Sequence, residues 1–295
     1  MYDVCLIGPV ARDVNAIGGK ELPPCPGGAA YYSSMVYRRL GLRTVVVTRV
    51  AQADEALLLA ELRAAGTEIV NLPTPVSTTF RNIYLPDDMR VQRVDEVAVP
   101  IAPADLPPLE ARIWQLGALT SRDLAREMLR RPPPGGFLAV DVQGLTRAIV
   151  NGEVRPAEPA ASLAHLRHVD VLKADDAEIL IHTGATAEPA AVAAVHDAGT
   201  REVLVTRAHL GATVYAQDQT LEIAAVPPRR KVDLTGCGDT FLAAYMARRL
   251  ITDDLRECGE FAAAAASINI ESFGAFQGSL DDIAARRAPA RREQR

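Results

Sequence analysis

The sequence predicts an α/β fold: a doubly wound, mainly parallel sheet flanked by helices, with a small β lid. Short apolar runs bounded by turn residues recur at 3–7, 44–50, 112–116, 137–142, 169–172 and 202–206 and read as buried strands. Segments with helical spacing fall between them, near 29–40, 54–65, 121–131, 175–182 and 187–198, and Gly41, Gly66 and Gly199 stand at C-cap positions. Strand and helix in alternation make a doubly wound sheet.

Two stretches break the alternation. Residues 14–25 and 77–99 carry polar and β-branched residues in a loose period of two, with turn signals at Gly18-Gly19 and Pro86-Asp87-Asp88. They are expected to form the lid strands; two ordinary surface excursions are the alternative. Pro107-Pro108, Pro132-Pro133-Pro134 and Pro227-Pro228 read as loops, and no repeat is visible. From about Phe241 to Ile270 the chain is Ala-rich and helical, broken near 251–254, where Thr252 or Asp253 can cap the second helix. One α/β domain over 1–285, lid included, is expected to be followed by a basic, disordered tail at 286–295.

With 48% hydrophobic and 23% charged residues, the 295-residue chain can bury a large core. Its formal charge is −5; the last ten residues carry +4, which leaves −9 on residues 1–285. No overall basic field exists for a nucleic-acid backbone, so an anionic substrate must be held by local donors. The cysteines, at 5, 25, 237 and 258, lack disulfide-framework or metal-type spacing, and the five His lack an HExxH pattern. A start without a basic leader and the lack of a membrane-length apolar run lead to the expectation of a cytoplasmic protein that binds neither membrane nor nucleic acid.

Chemistry concentrates in Val232-Asp233-Leu234-Thr235-Gly236-Cys237-Gly238-Asp239-Thr240-Phe241, a polar turn feeding an apolar helical run. Glycines around one small residue let the backbone approach a ligand, and the N–H groups at a helix start point outward with the positive end of the dipole behind them. This is an anion hole that needs no net positive charge. Asp239 inside it reads either as a base taking a proton from a hydroxyl that attacks a phosphoryl group, or as an ordinary acidic residue in a first helical turn. No GxxxxGK[ST] occurs, and Phe241 stands where a dinucleotide fingerprint needs Gly, which argues against a dinucleotide oxidoreductase. Cys237 has no His near it in sequence and reads as a small-residue substitute rather than a nucleophile.

Asp233 to Asp239 resembles the C-terminal signature of the ribokinase-like (PfkB) carbohydrate kinase family, Asp-Thr-x-Gly-Ala-Gly-Asp, with Leu234 and Cys237 as small departures. Further features follow in the family's order along nearly the whole chain. The resemblance implies a ribokinase-like fold and ATP and Mg²⁺ as cofactors. It also implies transfer of the γ-phosphoryl group to a hydroxyl of a sugar or polyol, with Asp239 as general base and the segment Gly236, Cys237 and Gly238 around the transferring group. Gly8 to Asp13 matches a strand and turn that place Asp13 on sugar hydroxyls, and Gly27-Gly28 matches the paired glycines of the substrate pocket. Tyr32 stands where many members have Asn.

On the donor side, Asp175-Asp176-Ala177-Glu178 occupies the place of the family's Asn-x-x-Glu element, which implies that Glu178 helps organise Mg²⁺ through water. The alternative is that these acids begin a helix. Thr206 and Gly211 resemble the nucleotide-side turn, with Ala208 at its first glycine, and Asn269 and Phe273 fall at the adenine pocket. Lys173, Asp175, Thr235, Gly236 and Gly238 complete the expected nucleotide side. Asp141 to Arg147 and Val171 to Ala174 resemble the inositol-kinase branch, and Asp13, Asn15, Gln143 and Arg147 suit a polyol's hydroxyls. A nucleoside kinase of the same fold, favoured if Tyr31, Tyr32 and Phe80 stack a base, and a non-catalytic metabolite-binding protein are the alternatives. A homodimer through exposed lid strands is a further expectation.

Overall fold

The computed structural model describes residues 1–85, 90–129, 136–158 and 163–287. From the N-terminus run β1 (Tyr2–Ile7), β2 (Ala11–Ile17), β3 (Lys20–Glu21), β4 (Cys25–Gly27), α1 (Ala29–Arg39), β5 (Thr44–Thr48), α2 (Glu55–Leu58), α3 (Ala60–Ala64) and β6 (Glu68–Asn71). The middle holds β7 (Thr79–Tyr84), β8 (Arg90–Glu96), β9 (Ala111–Leu116), β10 (Phe137–Asp141), α4 (Gln143–Thr146), β11 (Arg147–Val150) and β12 (Glu153–Pro156). The remainder comprises β13 (Val171–Asp175), α5 (Asp176–Thr183), α6 (Glu188–Asp197), β14 (Glu202–Thr206), β15 (Ala212–Ala216), β16 (Gln219–Ile223), α7 (Cys237–Arg249), α8 (Leu255–Asn269) and α9 (Leu280–Arg287).

Nine strands form the main sheet in the order β16-β15-β14-β13-β10-β9-β1-β5-β6, parallel except for the β14-β15-β16 meander. Successive residues of β1 supply both cores. Val4 and Leu6 pack with α1, α7 and α8, whereas Cys5 and Ile7 pack with α5 and α6. Strand order reverses between β1 and β9, the crevice where such sheets bind ligands. There a Cβ on Gly8 would lie 2.4 Å from the Gly117 carbonyl oxygen, so the backbones after β1 and β9 touch.

The expected lid segments are strands of a second sheet, ordered β11-β12-β8-β7-β2-β3 with β4 on β2, and not surface excursions. The sheet is larger than expected because the hairpin β11-β12 joins it. Ala11, Phe80 and Val94 on its inner side bury against Ala29 and Leu119 of the α/β layer. The Pro86-Asp87-Asp88 turn signal and the Pro132-Pro133-Pro134 loop lie outside the described residues.

Four expectations need correction. Residues 121–125 are not helical: Asp123 turns back to accept the Leu119 and Thr120 amides at 2.8 and 2.7 Å, and a side chain that binds local backbone competes with a helix. A single turn follows at Arg126–Leu129. The 54–65 helix is divided at Leu59 into α2 and α3. Asp254, not Thr252 or Asp253, caps α8, accepting from the Glu257 amide at 3.1 Å while Thr252 Oγ1 accepts from Asp254 N. Arg286 and Arg287 close α9 rather than opening a disordered tail, and Arg286 binds Glu271 at 2.9 Å; the rest of the expected tail lies outside the described residues. Among the described residues no helix is long and apolar enough to cross a membrane.

Candidate active site

The glycine-flanked loop is held in place by the end of α8. Val232 N and Asp233 N both donate to the Ile270 carbonyl, at 2.9 and 3.2 Å, and Asn269 Nδ2 donates to the Thr235 carbonyl at 3.0 Å. Asp233 Oδ1 accepts from Thr235 N at 2.9 Å and tightens the turn. Gly236 caps α7 at φ 74°, and a Cβ there would lie 2.4 Å from the Tyr32 ring, so both backbone and space require glycine. Cys237, Gly238 and Asp239 then form the first turn; Cys237 N donates back to the Leu234 carbonyl at 3.4 Å, while the N–H groups of a first turn lack intrahelical acceptors and suit an anion. Burial pushes the Cys237 thiol up to about 11, so it is no ready nucleophile.

Charged side chains gather around this helix start. Lys173, near the end of β13, places Nζ 3.0 Å from Asp141 Oδ2 at the end of β10 and 3.8 Å from Glu178 Oε2. A Cβ on Gly238 would come within 2.9 Å of the same Nζ, so the ammonium lies against the anion loop. Arg147 Nη2 approaches Glu178 Oε1 at 3.7 Å, and the Gln143 amide oxygen accepts from Arg147 Nη2 at 2.6 Å. Burial raises the Asp239 carboxyl to about 7; Asp141 and Glu178 add to the rise, and Lys173 and Arg147 oppose it. Burial disfavours the Lys173 ammonium, yet Asp141, Glu178 and Asp239 outweigh it and hold its pKa above the ordinary lysine value.

Asp175 and Glu178 form a capping box at the start of α5: Asp175 Oδ1 accepts from the amides of Ala177 at 3.0 Å and Glu178 at 2.6 Å, and Glu178 Oε2 accepts from Asp175 N at 3.0 Å. Helix initiation therefore accounts for Asp175. Glu178 does more, because it also faces Lys173 and Arg147. Burial and the nearby Asp141 and Asp175 raise its pKa against the pull of Lys173.

Asp13, Gly27 and Gly28 meet where β2 pairs with β4, and a Cβ on Gly27 would lie 2.2 Å from Asp13 Oδ2. Tyr32 is buried against Gly236, which makes it the packing contact between α1 and the anion loop. Asn15 hydrogen-bonds Asn82 across the second sheet. Thr206 pairs in register with Asp175 one strand away from the cluster. Gly211 is explained by packing, since a Cβ would lie 2.2 Å from the Ile223 carbonyl oxygen. Asn269 is fully buried with its amide on the anion loop, whereas Phe273 is 79% exposed.

Sequence reasoning missed Asp141 as a site residue and gave no role to Asp233, Asn82 or Gln92. Asp141 had a signal: it ends a buried parallel strand, where ligand-facing groups project. Among the described residues no three His, Cys, Asp or Glu side chains are grouped to hold a metal ion.

Residues 143–282 match the family described as pfkB family carbohydrate kinase. The chain carries a PfkB-family carbohydrate kinase domain on a ribokinase-like fold. That match takes in Gln143, Arg147, Lys173, Glu178 and the whole anion loop of this PfkB-family domain. A ribokinase of Arabidopsis thaliana is 33% identical over 122 residues, 39% of this chain and 32% of that protein, so the aligned stretch spans about a third of the relative. Two solved structures superpose on nearly all of the chain. A pyrophosphate-dependent kinase in the ribokinase family, complexed with a pyrophosphate analog and myo-inositol, gives a TM-score of 0.84 at 24% identity, covering 96% of this chain and 99% of that one. Arabidopsis thaliana ribokinase complexed with ribose and ATP gives 0.76 at 21% identity, covering 98% and 99%. At these identities the likeness is one of fold.

Proposed function

We propose that this protein is a kinase that transfers the γ-phosphoryl group of ATP to a hydroxyl of a sugar or polyol, an inositol-like polyol above all. The observation that carries the reading is Asp239: a half-buried carboxyl with a pKa raised to about 7, in the first turn of a helix whose start lies against the Lys173 ammonium. Such a carboxylate can take the acceptor's proton near neutral pH, while the amides and the ammonium stabilise charge on the transferring group.

Mg²⁺, when bound with the nucleotide, would supply charge neutralisation to the phosphates. Glu178 fits the water-mediated role, since its ion-pair contacts lie at 3.7 and 3.8 Å, distances that leave hydration possible. Asp13, Asn15, Gln143 and Arg147 are assigned to acceptor hydroxyls. The nucleoside reading is not favoured: Tyr31, Tyr32 and Phe80 are only 3, 6 and 3% exposed, which leaves little ring face for stacking a base. A non-catalytic binding protein would have no use for a base set in the anion hole.

A second donor reading, inorganic pyrophosphate, is favoured by the residues assigned to adenine. Asn269 is turned to the anion loop and Phe273 is exposed, while the phosphate end is well furnished, and the fold neighbour with the higher score of the two is pyrophosphate-dependent. We place the protein in the cytoplasm, in keeping with its free thiols. A homodimer would use the second sheet, where Ile17, Val91 and Val150 are exposed; sedimentation at micromolar concentration tests it.

The deciding experiment supplies ATP or pyrophosphate with Mg²⁺ and a library of polyols, sugars and nucleosides, and detects phosphorylated acceptor by mass spectrometry. Phosphorylation of a polyol or sugar supports the reading; binding without transfer supports the non-catalytic alternative.

A further inference from the structure

Where the chain passes from β8 back to the α/β layer it borders a cleft of about 440 Å³, within the roughly 300–1,000 Å³ of small-molecule sites. One wall is the stretch that leaves β8, with Val97 and Pro100; the other follows β9, with Ser121, Arg122, Leu124 and Arg126. Backbone fixes the walls to one another. Ile101 N donates to the Asp123 carbonyl and Ala125 N to the Ile101 carbonyl, both at 2.9 Å, and Ile101 and Leu124 form a parallel bridge. Val97 also packs on the apolar cluster of Ala11, Ala29, Phe80, Val94 and Leu119 that joins the two layers.

The charge of the lining has one sign. Two guanidiniums and a hydroxyl border the cleft, and among the described residues no carboxylate does. The single acid of residues 121–126, Asp123, is withdrawn: it is 5% exposed, accepts the Leu119 and Thr120 amides at 2.8 and 2.7 Å, and lines a separate small cavity beside Arg49. Arg122 and Arg126 are exposed, and among the described residues neither guanidinium has an ion-pair partner. On a chain of formal charge −5, such a pair of uncompensated cations is a local reversal of sign.

We infer that this cleft is a second ligand site, apart from the anion loop, for a small organic phosphate. Arg122 and Arg126 take the phosphate oxygens, to which guanidinium forks are matched, and two cations suit its double charge better than the single charge of a carboxylate. The Ser121 hydroxyl adds a donor, and the carbon skeleton lies on Val97, Pro100 and Leu124. The cleft shares no residue with the candidate active site, so the inference does not depend on the kinase reading.

The test titrates the full chain with phenyl phosphate, inorganic phosphate and benzoate and follows the backbone amides by NMR. The amides of Ser121, Arg122 and Leu124 should move saturably with phenyl phosphate, at an affinity about tenfold above those for inorganic phosphate and benzoate. Gly236 and Gly238 report the anion loop in the same spectra. Arg122→Gln with Arg126→Gln should weaken the first response by about tenfold or more and leave the second unchanged. Each substitution is also made singly, so that a variant with a lowered melting curve can be set aside. Movement confined to Gly236 and Gly238, equal affinity in the folded variants, or benzoate binding as tightly as phenyl phosphate overturns the inference. Turnover without phenyl phosphate should stay at the wild-type level in these variants, so this inference and the kinase reading fail separately.

Discussion

Gly238 and Lys173 meet so closely that a Cβ on the glycine would lie 2.9 Å from the lysine ammonium. The anion loop and the Lys173–Asp141 pair, 3.0 Å apart, therefore form one structural unit. Gly238→Ala should fold, because a lysine terminus can move aside and alanine favours a helix, yet turnover should fall about tenfold or more as the ammonium is displaced. Gly236→Ala should differ, since it places a Cβ on the Tyr32 ring at φ 74° and should lose about 1–3 kcal/mol of stability. Thermal melting beside turnover separates the two; equal melting temperatures would contradict the packing assigned to Gly236.

Asp239→Asn should reduce kcat by about 10²–10⁴-fold. In wild type, kcat/KM should rise with pH through about 7 as the carboxyl ionises. The sign for stability is opposite. The folded carboxyl holds a proton that the unfolded one has released above about 3.8, so this contribution is present at low pH and is lost as pH rises through about 7. Asp239→Asn should therefore melt higher than wild type at pH 8. A lower melting temperature there would remove the raised-pKa assignment.

His182 gives a second pH effect. Its ring is 1% exposed, neither nitrogen has a hydrogen-bond partner among the described residues, and burial lowers its pKa from 6.5 to about 4. The unfolded chain takes up this proton first, so stability present above pH 6.5 should be lost as pH falls toward 4, by about 3 kcal/mol in all. Urea unfolding at pH 7 and pH 4.5 should show a smaller difference for His182→Leu than for wild type.

Ala208 adopts φ 45° where the family pattern has glycine. Ala208→Gly should relieve a left-handed cost of about 1 kcal/mol and raise the melting temperature by a few degrees. An unchanged or lower value would show that the neighbouring turn, in which Leu210 N donates to the Arg207 carbonyl at 2.9 Å, offsets that cost.

The main strands were legible because each is a short apolar run between turn residues, and β10 and β14 match their expected spans to within a residue. The β11-β12 hairpin also had a signal that was passed over: Asn151-Gly152, with Asn151 at φ 51°, is a strong two-residue turn between Ala148-Ile149-Val150 and Glu153-Val154. Segment 121–131 misled because its helical spacing outlasts the reach of Asp123, whose buried carboxylate takes two amides that precede it. The anion loop was readable from its glycines. The hydrogen bonds of Asn82 with Asn15 and Gln92 were not, because these residues become neighbours only through strand register.

The hydrogen bonds from Asn269 and Ile270 to the anion loop carry a consequence for biosynthesis. A chain growing from its N-terminus has made every strand of both sheets, and the loop itself, before α8 is complete. Until that helix leaves the ribosome and docks, Thr235 and Val232 lack the partners that shape the glycine-flanked loop. Newly made protein should thus acquire anion affinity at this loop only after α8 has been made and docked.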